Sequence, residues 1–167
     1  MSACRDPAVT VVQADYADPV HARALVDLLD AYAREPAGGG VALSDHARSH
    51  LVAELAARPA AFSVLAFDGA RAVGLVNCFE GFSTFACRPL VNVHDLAVAG
   101  SHRGQRIGER MLDLVEQIAR QRGACKLTLE VVTGNQAANR LYARQGFVAY
   151  QMDPALGQAQ FLQKWLA

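Results

Sequence analysis

The sequence predicts an α/β (α+β) fold, and three observations carry that expectation. Strand-length apolar runs alternate with helix-length amphipathic ones, in the order strand, two helices, a hairpin pair, strand, helix, strand, helix, strands. From Val91 to Phe147 an apolar strand enters a glycine-bearing turn and an amphipathic helix, and a second strand and a short helix follow. At 167 residues, with 52% hydrophobic and 19% charged residues, the chain can bury one sizeable core and has no disorder signature. It contains no internal repeat, low-complexity tract or long linker, so residues 1–167 are expected to form a single domain.

Each element has a local reason. Ala8 to Ala14 alternates weakly and reads as a strand. Asp18 and Pro19 suit an N-cap and first helical residue, with Leu25, Leu28, Leu29 and Tyr32 as a helical stripe running up to Glu35. Pro36 to Gly40 is a glycine-rich loop. A second helix starts near Ser44 and runs to Arg58, where Pro59 ends it. Ala61 to Phe67 and Ala72 to Phe79 form a hairpin about Asp68-Gly69. Gly81 to Pro89 reads as a loop, and Val91 to Val98 as a strand. Ile107, Met111, Leu114, Val115 and Ile118 share one face of a helix that ends near Gly123. Lys126 to Val132 is a strand, a short helix starts at Asn135, and Gln160 to Leu166 is the last strand.

Composition narrows the function. Lys+Arg and Asp+Glu both total 16, so the basic excess of a nucleic-acid binder is missing. Apolar runs fall well short of a membrane span, and Met1 to Asp6 lacks a signal-peptide core, so a cytoplasmic location and no membrane partner are expected. The four cysteines, Cys4, Cys78, Cys87 and Cys125, contain no CxxC pair. His46 and His50, four apart on a helix, have zinc spacing but no further ligand cluster; two exposed histidines and no metal are expected. His102 is expected to face solvent.

The turn Gly100-Ser101-His102-Arg103-Gly104-Gln105-Arg106-Ile107-Gly108 opens a helix, where free N–H groups and the helix dipole favour an anion such as a pyrophosphate. Taken alone, such a glycine turn is more often an ordinary strand-to-helix connection. A Rossmann-type binder would place it after the first strand, which is not its place here. The turn, together with Asn135-x-x-Ala138-x-x-Leu141-Tyr142-x-x-x-Gly146-Phe147, resembles the GNAT superfamily of acetyl-CoA-dependent N-acetyltransferases. Arg103, Gly104, Ile107 and Gly108 fit the family's acetyl-CoA signature, and Arg106 stands where the family normally has glycine.

The resemblance implies a mixed central sheet of six to seven strands, about four flanking helices and a splayed central strand pair. It implies acetyl-CoA held by Leu96, Ala97, Val98, the run Arg103, Gly104, Gln105, Arg106, Ile107, Gly108 and Glu109, and by Asn135, Ala138 and Tyr142. The activity implied is acetyl transfer to a primary amine of a small molecule or peptide, with a GNAT-fold acyl-CoA-binding module without turnover as the alternative. Tyr142 takes the position of the proton donor to the thiolate. Glu130, twelve residues before it, matches the base of bacterial ribosomal-protein acetyltransferases, and Asp95 matches the acidic position of diamine acetyltransferases. Glu130 equally reads as a strand-end carboxylate paired with an arginine such as Arg140, Asp95 equally as a strand-end hydrogen bonder, and Glu80 is a weaker third candidate for the base. Glu35, Glu80, Phe82 and Phe85 fall where the family binds its amine and equally suit plain loop packing; His94 reads as a residue that tunes Asp95 or touches substrate, and equally as a satisfied strand histidine. Homodimers are common in the superfamily, which leaves a homodimer open here.

Overall fold

The computed structural model describes residues 9–150, 155 and 161–166. It divides into two compact units at the boundary between Leu129 and Glu130.

The first unit is a sheet with helices against it. Strands β1 (Val9–Gln13), β2 (Ala61–Asp68), β3 (Arg71–Ser83), β4 (Arg88–Val98) and β5 (Leu127–Leu129) lie side by side in chain order. The first four are antiparallel neighbours and β5 joins β4 in parallel, so the sheet is mixed. β2 is buried from Ala61 through Phe67, which requires cover on both faces. Alternation sorts its side chains. Leu65 and Phe67 pack with Leu75 against Ala24 and Leu25 of helix α1 (Pro19–Ala33). Ala66 and Gly74 instead face Met111 of helix α3 (Ile107–Gln121), whose apolar stripe Ile107, Met111, Leu112, Val115, Ile118 and Ala119 is buried.

Helix α2 (Asp45–Ala56) lies beside α1. Both begin as the residues dictate: Asp18 accepts from the Val20 N–H and Ser44 from the Ala47 N–H. Buried Asp30 ties them together. It accepts from Arg34 Nε at 2.9 Å, Arg48 Nη1 at 3.0 Å and the Leu43 N–H at 2.9 Å. Burial raises the Asp30 pKa, but these hydrogen bonds and the two guanidinium charges outweigh it and hold the carboxyl below its ordinary value.

The second unit contains helix α4 (Gln136–Arg144), capped at both ends. Asn135 accepts from the Ala138 N–H at 3.2 Å. At the other end the Phe147 N–H bonds the Tyr142 carbonyl at 2.9 Å and the Gly146 N–H bonds that of Ala143 at 3.1 Å. Gly146 has φ 81, and the Tyr142 and Phe147 rings meet edge to face at 5.7 Å. This is a Schellman cap with its hydrophobic contact, so the spacing Asn135…Tyr142…Gly146-Phe147 is also the spacing of one well-terminated helix.

Several expectations change. Among the described residues the sheet has five strands, not six to seven. Residues 161–166 form no strand, and Phe161, Leu162, Trp165 and Leu166 are exposed; β-propensity alone does not make a strand. Gln160 lies outside the described residues. Gly81 to Pro89 is mostly strand rather than loop, because β3 and β4 form one long hairpin in which Ser83 pairs with Arg88. The strand expected over Lys126 to Val132 shortens to Leu127–Leu129.

Candidate active site

β4 makes the site through two irregularities. Its ladder with β5 covers only Val91, Asn92 and Val93, whereas β4 itself continues to Val98. Against β3, Asn77 pairs with Asp95 but Cys78 pairs with Val93, so His94 is the extra residue of a bulge. In a regular strand consecutive side chains leave by opposite faces. The bulge breaks that alternation, and His94 and Asp95 both border one cavity of about 320 Å³.

The other walls are mainly apolar. Leu29, Tyr32 and Ala33 come from α1, Leu51 and Leu55 from α2, and Gly38 and Leu43 from the connection between those helices. Asn77 and Phe79 of β3 complete the lining. The Phe79 and His94 rings stand edge to face at 5.4 Å.

Behind Asp95 runs a row of polar side chains at directly paired positions, Ser63 on β2 with Asn77 on β3, and Asn77 with Asp95 on β4. Asn77 Nδ2 donates to Asp95 Oδ2 at 3.0 Å, Ser63 Oγ donates to Asn77 Oδ1 at 2.6 Å, and the Tyr16 hydroxyl lies 3.0 Å from Ser63 Oγ. Ser63 and Asn77 are buried. Burial raises the Tyr16 pKa, although the bond to Ser63 acts the other way. Burial and the charge of Asp95 raise the Tyr32 pKa, and the same two causes push the Cys78 thiol up to about 12. Sequence reasoning missed this row. A signal was present, since Ser63 and Asn77 are the polar interruptions of two apolar runs.

The turn before α3 is the second part. Arg103 Nη2 meets both carboxylate oxygens of Glu35 at 2.6 Å, and its Nε donates to the Val98 carbonyl at 3.0 Å. One expected cofactor residue thus bridges an expected amine-site residue and the end of β4. Arg106 has a left-handed φ of 58, is 81% exposed, and stands 3.9 Å from Glu109. Glycine's usual place in the signature is therefore a left-handed position, taken here by an arginine. α1, α2 and α4 each start with a side-chain cap, and α3 starts with none. Gly104 and Gln105 are exposed, and Ile107 and Gly108 are buried. Leu96, Ala97 and Val98 pair with Val76, Leu75 and Gly74.

The remaining residues of interest are dispersed. Glu80 accepts from Arg122 Nη1 at 3.3 Å, Phe82 and Phe85 are exposed, and none of the three lines the cavity. Glu130 is exposed just after β5, and Tyr142 is half-buried on α4 beside Ala138. His102 is not solvent-facing: it is 8% exposed, with Nε2 3.2 Å from Asp68 Oδ2 and Nδ1 2.8 Å from Ser101 Oγ. The turn after β4 folds it inward against the β2–β3 hairpin. His46 and His50 are exposed and stacked at 4.3 Å. Among the described residues no three His, Cys, Asp or Glu side chains gather, and no helix is long and apolar enough to cross a membrane.

The chain is similar to several known proteins. A streptothricin acetyltransferase of Streptomyces lavendulae is 37% identical over 90 residues, 52% of this chain and 48% of that protein. An aminoalkylphosphonate N-acetyltransferase of Salmonella typhimurium is 30% identical over 83 residues, 50% of this chain and 54% of the relative. The matched region thus spans about half the length of these curated relatives. In fold, the chain resembles an aminoglycoside acetyltransferase from an uncultured soil metagenomic sample, with TM-score 0.76 and 17% identity over 96% of this chain and 99% of that one. The model of the Acetyltransferase (GNAT) family matches residues 23–147, which take in the cavity, the turn before α3 and all of α4. The chain belongs to the GNAT acetyltransferase family.

Proposed function

We propose that this protein transfers the acetyl group of acetyl-CoA to a primary amine of a small molecule or peptide. The observation that carries this reading is the start of α3. There a family-signature turn with left-handed Gly104 and Arg106 leads into a helix whose N-cap residue, Arg106, makes no side-chain cap. That donor set suits a pyrophosphate. Arg103 to Glu109 would hold the pyrophosphate, Leu96, Ala97 and Val98 the pantetheine arm, with Asn135 and Ala138 contributing from the second motif. When bound, acetyl-CoA supplies a carbonyl already activated toward an amine.

The residues of the chain supply what remains. An alkyl amine of pKa about 10.4 is mostly protonated at pH 7, so a base must take its proton, directly or through water. Asp95 is the favoured base because it borders the cavity, and Glu130 is the second candidate. The Val98 N–H polarises the carbonyl, and Tyr142 returns a proton to the leaving sulfur. The curated relatives include proteins named for streptothricin, aminoalkylphosphonate and N-alpha acetylation, acceptors that have little in common except an amine.

Amine-dependent release of CoA thiol, measured across a panel of amines, tests this. Release matched mole for mole by acetylated amine supports transfer. Tight acetyl-CoA binding without release across the panel points instead to a module that keeps the cofactor and has no turnover.

A further inference from the structure

The cavity beside Asp95 differs chemically from a site for a polycation. It carries one carboxylate, set among Leu29, Leu43, Leu51 and Phe79, with Tyr32 and His94 at its border. Of the acids near the lining residues in sequence, Asp30 is already engaged by Arg34 and Arg48, Glu80 by Arg122, and Glu35 by Arg103. At about 320 Å³ it is at the small end of ligand pockets, which run from about 300 to 1,000 Å³. A second ammonium drawn into this space would lose water and find no carboxylate in return, whereas an alkyl or aryl body would lose only unfavourable hydration.

The polar row behind Asp95 has a direction. The single Ser63 hydroxyl proton is given to Asn77, so Tyr16 must be the donor to Ser63. Every proton in the row therefore points toward the carboxylate. The row ends on Oδ2, and among the described residues no side-chain hydrogen bond engages Oδ1. A carboxylate fixed in this way accepts from a cationic head at one set position.

We propose that this cavity selects a compact primary amine with a single ammonium head and an apolar alkyl or aryl body. Asp95 holds the head, and Tyr16, Ser63 and Asn77 act as positioning residues for Asp95. Turnover of such an amine rests on the acetyltransferase reading above; binding of it does not.

Calorimetry on the full chain, with and without saturating CoA, would compare 2-phenylethylamine and hexylamine with spermidine and kanamycin. CoA thiol release would be followed on the same four compounds with acetyl-CoA. The monoamines should bind at least tenfold tighter than either polycation. Asp95→Asn and the cavity-filling Leu51→Trp should each lower monoamine affinity at least tenfold while leaving CoA binding intact. Tyr16→Phe should raise the KM for the amine several-fold more than it lowers kcat, a split that a purely structural role would not produce. Tighter binding of spermidine or kanamycin, no monoamine binding in either condition, or unchanged affinity in Leu51→Trp would each overturn the proposal. Monoamine binding without thiol release would uphold the cavity assignment and remove the acetyltransferase reading. Thiol release with the polycations alone would do the reverse.

Discussion

Arg106 shows what one residue costs at the turn before α3. An L-residue with left-handed φ is disfavoured by about 1–2 kcal/mol, and a β-branched one fits worst. Arg106→Gly removes that strain but gives the unfolded chain more freedom, so its stability should stay within about 1 kcal/mol of wild type. Arg106→Val should lose about 1–2 kcal/mol; equal melting temperatures for the valine and glycine variants would contradict the left-handed turn. Gly38 is constrained differently: a Cβ there would lie 2.0 Å from the Tyr32 carbonyl oxygen, which is backbone and cannot turn aside. Because Gly38 and Tyr32 both line the cavity, Gly38→Ala should raise the KM for the amine several-fold in steady-state assays. Wild-type KM would mean that the loop adjusts without disturbing the cavity.

Between elements, Asp30 clamps α1 to α2 and so holds two of the cavity's walls. Its pKa is lower in the folded protein than its ordinary 3.8, so its contribution is fully present above 3.8. That contribution is lost as pH falls through the folded value. Melting temperatures of wild type and Asp30→Asn should therefore differ at neutral pH and converge in acid. A difference that persists undiminished in acid would show that the charge on Asp30 is not what matters. On the other face, Met111 is fully buried against the sheet, and Met111→Ala should cost about 2–5 kcal/mol by denaturant unfolding.

The elements also show why some structure could be read from residues and some could not. The hairpin at Asp68-Gly69 was legible because a two-residue turn leaves local chemistry behind. The β3–β4 hairpin was not, since Gly81, Ser83 and Pro89 carry turn chemistry within a ladder set by long-range pairing. The bulge at His94 is invisible to any periodicity, yet it decides that His94 and Asp95 share a cavity. The row Tyr16–Ser63–Asn77–Asp95 joins residues 14 to 47 positions apart, and only the strand register reveals it.

At the scale of the molecule, β1 to β5 with α1 to α3 supply the cavity beside Asp95 and the glycine turn before α3, and α4 supplies the tyrosine motif. The turn and motif were legible because a glycine turn that opens a helix and a helix capped at both ends each impose fixed spacings on a short stretch of chain. The cavity was not, because it is assembled from α1, α2, β3 and β4 by packing. The most direct measurement follows acetyl-CoA and 2-phenylethylamine with the purified protein, quantifying CoA thiol and acetylated amine by mass spectrometry. Transfer predicts one acetylated amine for each thiol released, with the rate falling at least tenfold in Asp95→Asn. Acetyl-CoA that binds yet yields no amine-dependent thiol with this or any amine of the panel would contradict it.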